Sequence, residues 1–450
     1  MKRASAASAA TAAPASAGQP GADGRPRILL MSHSHPLITH GGAEISAYAL
    51  FKALKDHDYP TWFVGCSGPA SENRAGVPFA QPYGPLEYVY HESAPFDHFK
   101  FANPDPKFPS ALEELLVELR PDIVHLHHYS RFGVETFRII KRALPRAKVV
   151  LSLHEFLAIC NHNGQMVKTG DLRLCYEATF SACAACFRDR GARDFFLRKR
   201  YLTEFLDDVD KFVSPSIFLA DRYVAWGVRP QKMTVLENLP ATLPASRARQ
   251  ETKFDRDDTD DDGTAPARRV RVGFFGQMSP LKGIVVLIEA ANRLEEMEIE
   301  NLSIDIHGDY SNQPPEYQAA VTKALADAGK NVVYHGPYEN AQVQRLMGSV
   351  DVVVTPSIWW ENSPLVIQEA FTAGKPVVCS DIGGMAEKVR HGVNGLHFEA
   401  GSSRHLAEIL ARFARKPSLL DELSASVTAP PGPDASLSGY IELYANLMKN

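Results

Sequence analysis

Two carboxylates, Glu361 and Glu369, bracket the seven-residue run Asn362-Ser363-Pro364-Leu365-Val366-Ile367-Gln368. Ser363 suits the N-cap of a helix and Pro364 its first residue. The amides from Asn362 to Leu365 would then open toward an anion. Glu361 falls just ahead of that helix, and Glu369 about two turns into it on an otherwise apolar surface. A carboxylate placed there needs hydrogen-bond donors, which ribose hydroxyls supply; the plainer alternative is a capped helix with a solvated glutamate. A second run, Gly276-Gln277-Met278-Ser279-Pro280-Leu281-Lys282-Gly283, follows a strand pattern and precedes a helical one. Gly276 lets backbone approach a ligand, and helix-start amides with Lys282 suit a diphosphate. The Gly-Lys-Ser/Thr ending of a Walker loop is absent.

Histidines and cysteines offer two further chemistries. His33, His35, His40, His125, His127 and His128 cluster at predicted strand ends. Two His-x-His patterns so placed would fit a zinc hydrolase, a reading that leaves Glu361 and Glu369 unexplained. Cys160, Cys175, Cys183 and Cys186 fall within 27 residues and end in Cys-Ala-Ala-Cys. That spacing fits a structural zinc ion held by four thiolates, with His162 as a substitute for Cys160. Reduced thiols or a Cys183–Cys186 disulfide are the alternatives. Downstream, residues 187–205 interleave arginines with Phe187, Phe195, Phe196 and Tyr201, a pattern suited either to an amphipathic core helix or to an anionic bilayer surface.

These residues need a scaffold, and the pattern supplies one. Short β-branched runs at 27–31, 61–64, 122–126, 148–153 and 211–213 alternate with helical stretches starting at Gly41-Gly42 and at 112, 136 and 216. The alternation stops at an acidic, Gly- and Pro-containing segment, 245–269, and restarts with strands at 270–275, 302–307, 332–335, 351–354 and 376–379. Helices are expected between these strands. The predicted class is α/β: two Rossmann-like doubly wound domains facing a cleft, with ligand at the carboxyl ends of the strands. The expected divisions are a disordered tail, 1–24; a first domain, 25–244, with a cysteine-rich insert at 158–190; a linker or loop, 245–269; a second domain, 270–430; and a last helix in 431–450. The chain has 450 residues, 45% hydrophobic and 22% charged, with a net charge of −5, which argues against disorder and against nucleic-acid binding. No window reaches the ~20 apolar residues of a membrane span, and the start lacks the apolar core of a secretory signal, so a cytoplasmic location is expected.

Glu361 and Glu369 resemble the Glu–seven residues–Glu motif of the family-four retaining glycosyltransferases, whose fold is GT-B. The likeness runs in order through Gly276…Lys282-Gly283, Asp351…Thr355-Pro356-Ser357, Gly374-Lys375-Pro376-Val377-Val378, Gly383-Gly384…Glu387 and Gly392-Val393-Asn394-Gly395. It continues more loosely through Gly41-Gly42-Ala43-Glu44, Ser152-Leu153-His154-Glu155, Ser214-Pro215-Ser216, Gly227-Val228 and Asn238, and covers roughly 27–240 and 268–425. The resemblance implies transfer of a sugar from a nucleotide-diphosphate sugar, with retention, to a glycan or lipid-linked acceptor in cell-surface polysaccharide assembly. It implies Glu361 and His154 at the sugar, and Glu369 on the ribose. The diphosphate would be held by Lys282, Gln277 and the backbone near Gly41, Gly42, Gly276, Asn362, Ser363 and Leu365, without a catalytic metal. Gln277 stands where the family commonly has arginine, leaving Lys282 as the main cation of the loop. Some bacterial relatives resemble this chain in carrying a cysteine-rich insert, and often send a last helix back to the first domain, for which 440–448 is the candidate. A lipid-linked acceptor would place the protein peripherally on the inner face of the plasma membrane, through 187–205. A nucleotide-sugar epimerase or inactive sugar-nucleotide-binding relative of the same fold is the alternative. The histidines would line the acceptor side of the cleft.

Overall fold

The computed structural model describes residues 24–39, 41–68, 76–239 and 269–449. Residues 1–23 of the expected tail, 245–268 of the expected linker, and His40 lie outside the described residues. The first sheet contains β1 (Ile28–Met31), β2 (Thr61–Cys66), β3 (Phe79–Gly84), β4 (Glu87–Tyr90), β5 (Ile123–Leu126), β6 (Lys148–Ser152), β7 (Lys211–Ser214) and β8 (Met233–Val235), in the order β3-β4-β2-β1-β5-β6-β7-β8. The second contains β9 (Val270–Gln277), β10 (Leu302–Asp309), β11 (Val332–Gly336), β12 (Val352–Thr355), β13 (Val377–Ser380) and β14 (Gly395–Phe398), in the order β11-β10-β9-β12-β13-β14. Every pairing is parallel except the β3–β4 hairpin. Parallel strands are joined by helices that cover both faces, so central strands can be apolar throughout. Along β1, Leu29 and Met31 join one core cluster while Ile28 and Leu30 join another on the opposite face. The alternation of side chains along the strand feeds both layers at once.

In each sheet the strand order turns back at its central strand, β1 or β9, whose neighbours lead off in opposite directions. Doubly wound sheets bind ligands outside the carboxyl ends at such a switch point. The segments that leave those ends are the ones carrying the candidate chemistry: Gly41-Gly42 after β1, Gly276 to Gly283 around the end of β9, and 356–364 after β12.

The last helix runs over Pro433–Lys449, longer than 440–448, and packs on the first domain as the resemblance implies. Leu437, Tyr440, Leu443 and Tyr444 bury against Ile28, Leu30 and Leu50. Burying a large apolar side chain contributes roughly 1.5–3 kcal/mol, so this helix completes the outer layer rather than decorating it. Its Tyr444 Oη bonds His125 Nδ1 at 2.7 Å, and Ser152 Oγ meets His125 Nε2 at 2.8 Å. His125 is therefore a core histidine, not a ligand at the cleft. His35 is likewise buried, between Glu87 and the Leu37 amide.

In the insert, Cys183 and Cys186 sit on a helix, Phe180–Cys186, and Cys175 turns its thiol to the Glu177 carbonyl at 3.4 Å. Burial raises the Cys160 thiol, and burial together with the neighbouring Cys160, Cys175 and Cys186 thiols pushes Cys183 up to about 11. His162, the proposed substitute, turns Nδ1 to the Val167 carbonyl at 3.1 Å. Among the described residues no group of three or more His, Cys, Asp or Glu is arranged to hold a metal ion. The six cysteines are free thiols.

Candidate functional site

The phosphate-loop candidate begins where β9 ends, with Gly276 at φ +128° and Gln277 exposed. A single 3-10 turn, Pro280–Lys282, then leads into the helix Ile284–Glu296 through Gly283. Gly283 has φ +70°, and a Cβ there would sit 1.9 Å from the Pro356 carbonyl oxygen. Only glycine allows this loop to press against the chain leaving β12. That contact brings Lys282 to the glutamate: its Nζ lies 2.5 Å from Glu361 Oε1. Ser357 Oγ donates to the same oxygen at 2.8 Å and Trp359 Nε1 at 3.0 Å. Glu361 is buried, so its charge is met by one cation and two neutral donors, as a desolvated carboxylate requires. Residues assigned separately to phosphate and to sugar thus form one contact.

The helix after Glu361 spans Leu365–Thr372 with Pro364 at the N-cap and no side-chain cap. Ser363 does not cap it, contrary to expectation, because its hydroxyl is drawn to the Glu237 carboxylate of the first domain. No serine oxygen therefore competes for the first amides of this helix. Across the gap, Gly42–Asp56 is a second helix lacking a side-chain cap; Gly41 is its N-cap, and a Cβ on Gly42 would lie 3.9 Å from Leu365 Cδ1. Two helix starts face each other, one from each domain, and each end carries partial positive charge.

Glu369 lies on the face of Leu365–Thr372 that lines an open cavity of about 800 Å³. Gln368, Gln344 and Asn340 supply amides to its wall, Ile45 and Leu365 supply apolar surface, and residues 429–433 close the far side. Among the described residues no lysine or arginine lines it, so its chemistry suits a neutral, hydrogen-bonding group rather than a phosphate. Burial pushes the Glu369 carboxyl up to about 7. Gln368 is buried with both ends of its amide unpartnered, and Asn362 Oδ1 is unpartnered too.

The first domain contributes an imidazole-lined wall. His154 Nε2 and His127 Nδ1 are 3.1 Å apart; His33 packs on His128, ring centroids 4.3 Å apart. Glu44 reaches His33 Nε2 at 3.2 Å and accepts from Thr39 Oγ1 at 2.6 Å; Glu155 lies 3.6 Å from His128 Nε2. Burial holds His154 down at about 3, with the neighbouring His128 adding to it, so the ring is neutral. Glu44 behaves oppositely: burial alone would raise it, but His33 and Thr39 hold it at about 2. Burial likewise lowers His127 and His128, so the wall sets these rings and His154 beside the Glu44 and Glu155 carboxylates, a surface that can exchange hydrogen bonds with hydroxyls. With His125 and His35 committed to the core, the His-x-His arrangement of a zinc hydrolase is not assembled.

Several residues at this cleft carry no signal in the sequence. Glu237 takes Lys388 Nζ as well as Ser363 Oγ. Glu387 accepts the amides of Ile217 and Phe218 at 3.0 and 2.9 Å, capping a first-domain helix from the second domain. These pairs lie 126 to 170 residues apart, beyond any local pattern. Glu44, in Gly-Gly-Ala-Glu, and Glu387, in Gly383-Gly384…Glu387, had a visible context; Glu237 and Lys388 had none.

Residues 255–428 match the family described as "Glycosyl transferases group 1", and residues 40–239 match "Glycosyltransferase Family 4". The chain is similar to the lipopolysaccharide 1,2-N-acetylglucosaminetransferase of Salmonella typhimurium, 32% identical over 128 residues, 28% of this chain and 33% of that protein. It is also similar to a D-inositol 3-phosphate glycosyltransferase of Streptomyces griseus, 29% identical over 203 residues, 40% of this chain and 43% of that one. The chain thus spans about a third to two-fifths of the length of these curated relatives. In fold it is similar to Anabaena HepE solved with UDP and glucose, with a TM-score of 0.60 at 18% identity, covering 95% of this chain and 100% of that one.

Proposed function

Since the chain belongs to glycosyltransferase family 4, with the GT-B fold, we propose that it moves a sugar from a nucleotide-diphosphate sugar to a glycan or lipid-linked acceptor, with retention of configuration. The contact between Lys282 and Glu361 carries this reading, because it puts a cation and a carboxylate in one place at the mouth of the cleft. Lys282 and the two facing helix starts meet the charge that develops on the leaving diphosphate, a term that preorganised donors supply without reorganising. Glu361 sits beside the donor sugar. Glu369 takes the ribose hydroxyls at the rim of the cation-free cavity, which suits the nucleoside end. His154, neutral at working pH, exchanges hydrogen bonds with the sugar from the acceptor side. The names of the relatives, and the UDP and glucose bound by HepE, favour a nucleotide-sugar donor.

Among the described residues no helix is long and apolar enough to cross a membrane. Part of the 187–205 segment forms the helix Ala192–Leu206, which buries Phe195 and Arg198 and leaves Phe196 and Leu197 about half exposed (47% and 50%). Phe180 packs on Phe196, and Arg188, Arg193 and Arg200 are exposed nearby. This face supports peripheral contact with an anionic inner leaflet and a lipid-linked acceptor, in polysaccharide or lipopolysaccharide assembly. Co-sedimentation with anionic but not neutral vesicles, lost in Phe196→Ser/Leu197→Ser, tests it.

Free nucleotide released from a donor only when an acceptor is supplied is the result expected of a transferase. Release without acceptor, or interconversion of the donor sugar, would favour the epimerase or binding alternatives.

A further inference from the structure

Glu361 is flanked by two residues that reach across the gap between domains. Trp360 Nε1 donates to the Cys175 carbonyl at 3.2 Å, and Asn362 Nδ2 donates to the His154 carbonyl at 2.7 Å. The two acceptors belong to the first domain, the two donors to the second. Trp360 goes further: it is 4% exposed and is part of the first domain's hydrophobic cluster, not of its own. Its ring packs at 5.1 Å on Phe218 and, edge to face, at 5.1 Å on Tyr176. Arg222 stacks over both Trp360 and Phe218 and donates to the Tyr176 carbonyl at 2.6 Å, fixing the insert segment that faces the tryptophan.

We infer that the cysteine-rich insert of the first domain, acting through Trp360, positions Glu361 of the second, while Asn362 anchors the other side on the His154 carbonyl just ahead of the insert. The inference rests on Glu361 acting at the donor sugar. A main chain pinned by hydrogen bonds at the residues on either side leaves the side chain between them little freedom. Behind it, the Gly384 amide donates to the Glu361 carbonyl at 2.6 Å. The Trp360 side of this clamp holds while the insert is seated on the indole. Both acceptors are main-chain carbonyls, one in the insert and one at His154, so the device depends on where those segments lie rather than on their side-chain types. Cys175 is buried in the first domain's core, with Cys160 packed against it, which seats the segment that carries the Cys175 carbonyl. An acceptor that seats or displaces residues 175–176 therefore acts on Glu361 directly.

The test uses the full chain, a bacterial lipid extract and a set of simple glycosides as acceptors, and a panel of UDP-, GDP- and ADP-sugars, from which the donor consumed fastest by the wild type in an acceptor-dependent way is taken. Tyr176→Ala removes an exposed ring in the other domain from Trp360, and Trp360→Phe removes the indole donor while keeping an aromatic filling. Each is expected to lower kcat about tenfold, the scale of one lost hydrogen bond or a slightly misplaced group, with donor KM and UDP affinity unchanged. Trp360→Ala should fall further, by about a hundredfold, and melting temperatures identify any variant that merely fails to fold. Glu361→Gln is measured beside them. If Glu361→Gln abolishes turnover while Tyr176→Ala and Trp360→Phe keep the wild-type kcat, the positioning inference is wrong and the function stands. A drop in nucleotide affinity equal to the drop in kcat would also overturn it. If Glu361→Gln keeps turnover, or no sugar nucleotide is consumed by the wild type, the underlying reading of the site fails, and this inference with it.

Discussion

Glu369 is the residue whose ionisation most directly reports the ligand. Its carboxyl is pushed up to about 7 by burial, from an ordinary value of 4.5. In the protein without nucleotide, the unfolded chain ionises this group between those values while the folded chain does not. Folding stability therefore falls as pH rises from about 4.5 to 7 and is level above that. Ribose hydroxyls donate best to the ionised form, so nucleotide binding runs the other way. Affinity for a nucleoside diphosphate should rise about tenfold between pH 6 and pH 8, following the ionised fraction of a group with this pKa. Titration calorimetry of wild type and Glu369→Gln checks this; the glutamine variant should lose both slopes. Equal pH dependence in the two proteins would place the ribose elsewhere.

At the scale of elements, the segments that position the site obey close-approach rules. A Cβ on Gly384 would meet the Asn362 carbonyl oxygen at 1.8 Å, so the helix Gly383–Lys388 can start only by pressing glycine against the 361–362 loop. Gly384→Ala should destabilise the protein by about 1–3 kcal/mol, as overpacking does, and displace Glu361. Chemical denaturation with a turnover assay on the same preparation measures both; a fully active, equally stable variant would mean that the loop yields freely. Much of this was legible in the chain: the apolar runs of β1, β5, β9, β12 and β13 read directly as strands because both faces are buried. The β3–β4 hairpin was not, since Gln81, Pro82 and Tyr83 lie on an exposed edge with no apolar alternation. The cysteine cluster was legible from its spacing, and the Cys183 thiol does lie within electrostatic reach of Cys160, Cys175 and Cys186. Ser363 misled: its hydroxyl had a local role available, and a carboxylate from the other domain took it.

At the scale of the whole molecule, the two domains are joined by polar contacts that local patterns do not contain. Glu387 on the amides of Ile217 and Phe218, with Lys388 on Glu237 and on the Pro215 carbonyl at 3.1 Å, forms one side of the junction. Burial holds Lys388 down at about 8, a cost that the Glu237 carboxylate and the carbonyl offset while the domains touch. Removing both side chains, Glu387→Ala with Lys388→Ala, should enlarge the radius of gyration in small-angle scattering and lower turnover. Nucleotide affinity should change by no more than about twofold, because neither residue lines the donor pocket. An unchanged scattering curve would show that these contacts do not hold the domains together.

The central claim is that Lys282 and Glu369 hold the two ends of one nucleoside diphosphate, with Glu361 between them at the sugar. Calorimetric titration of UDP and of GDP into wild type, Lys282→Ala and Glu369→Ala at pH 8 tests it without knowledge of the acceptor. A wild-type protein that binds at least one of these nucleotides at a single site, with affinity lowered by at least about tenfold in each folded variant, is the predicted result, since each substitution deletes a charge-assisted contact. Wild-type affinity retained in both variants would contradict the account.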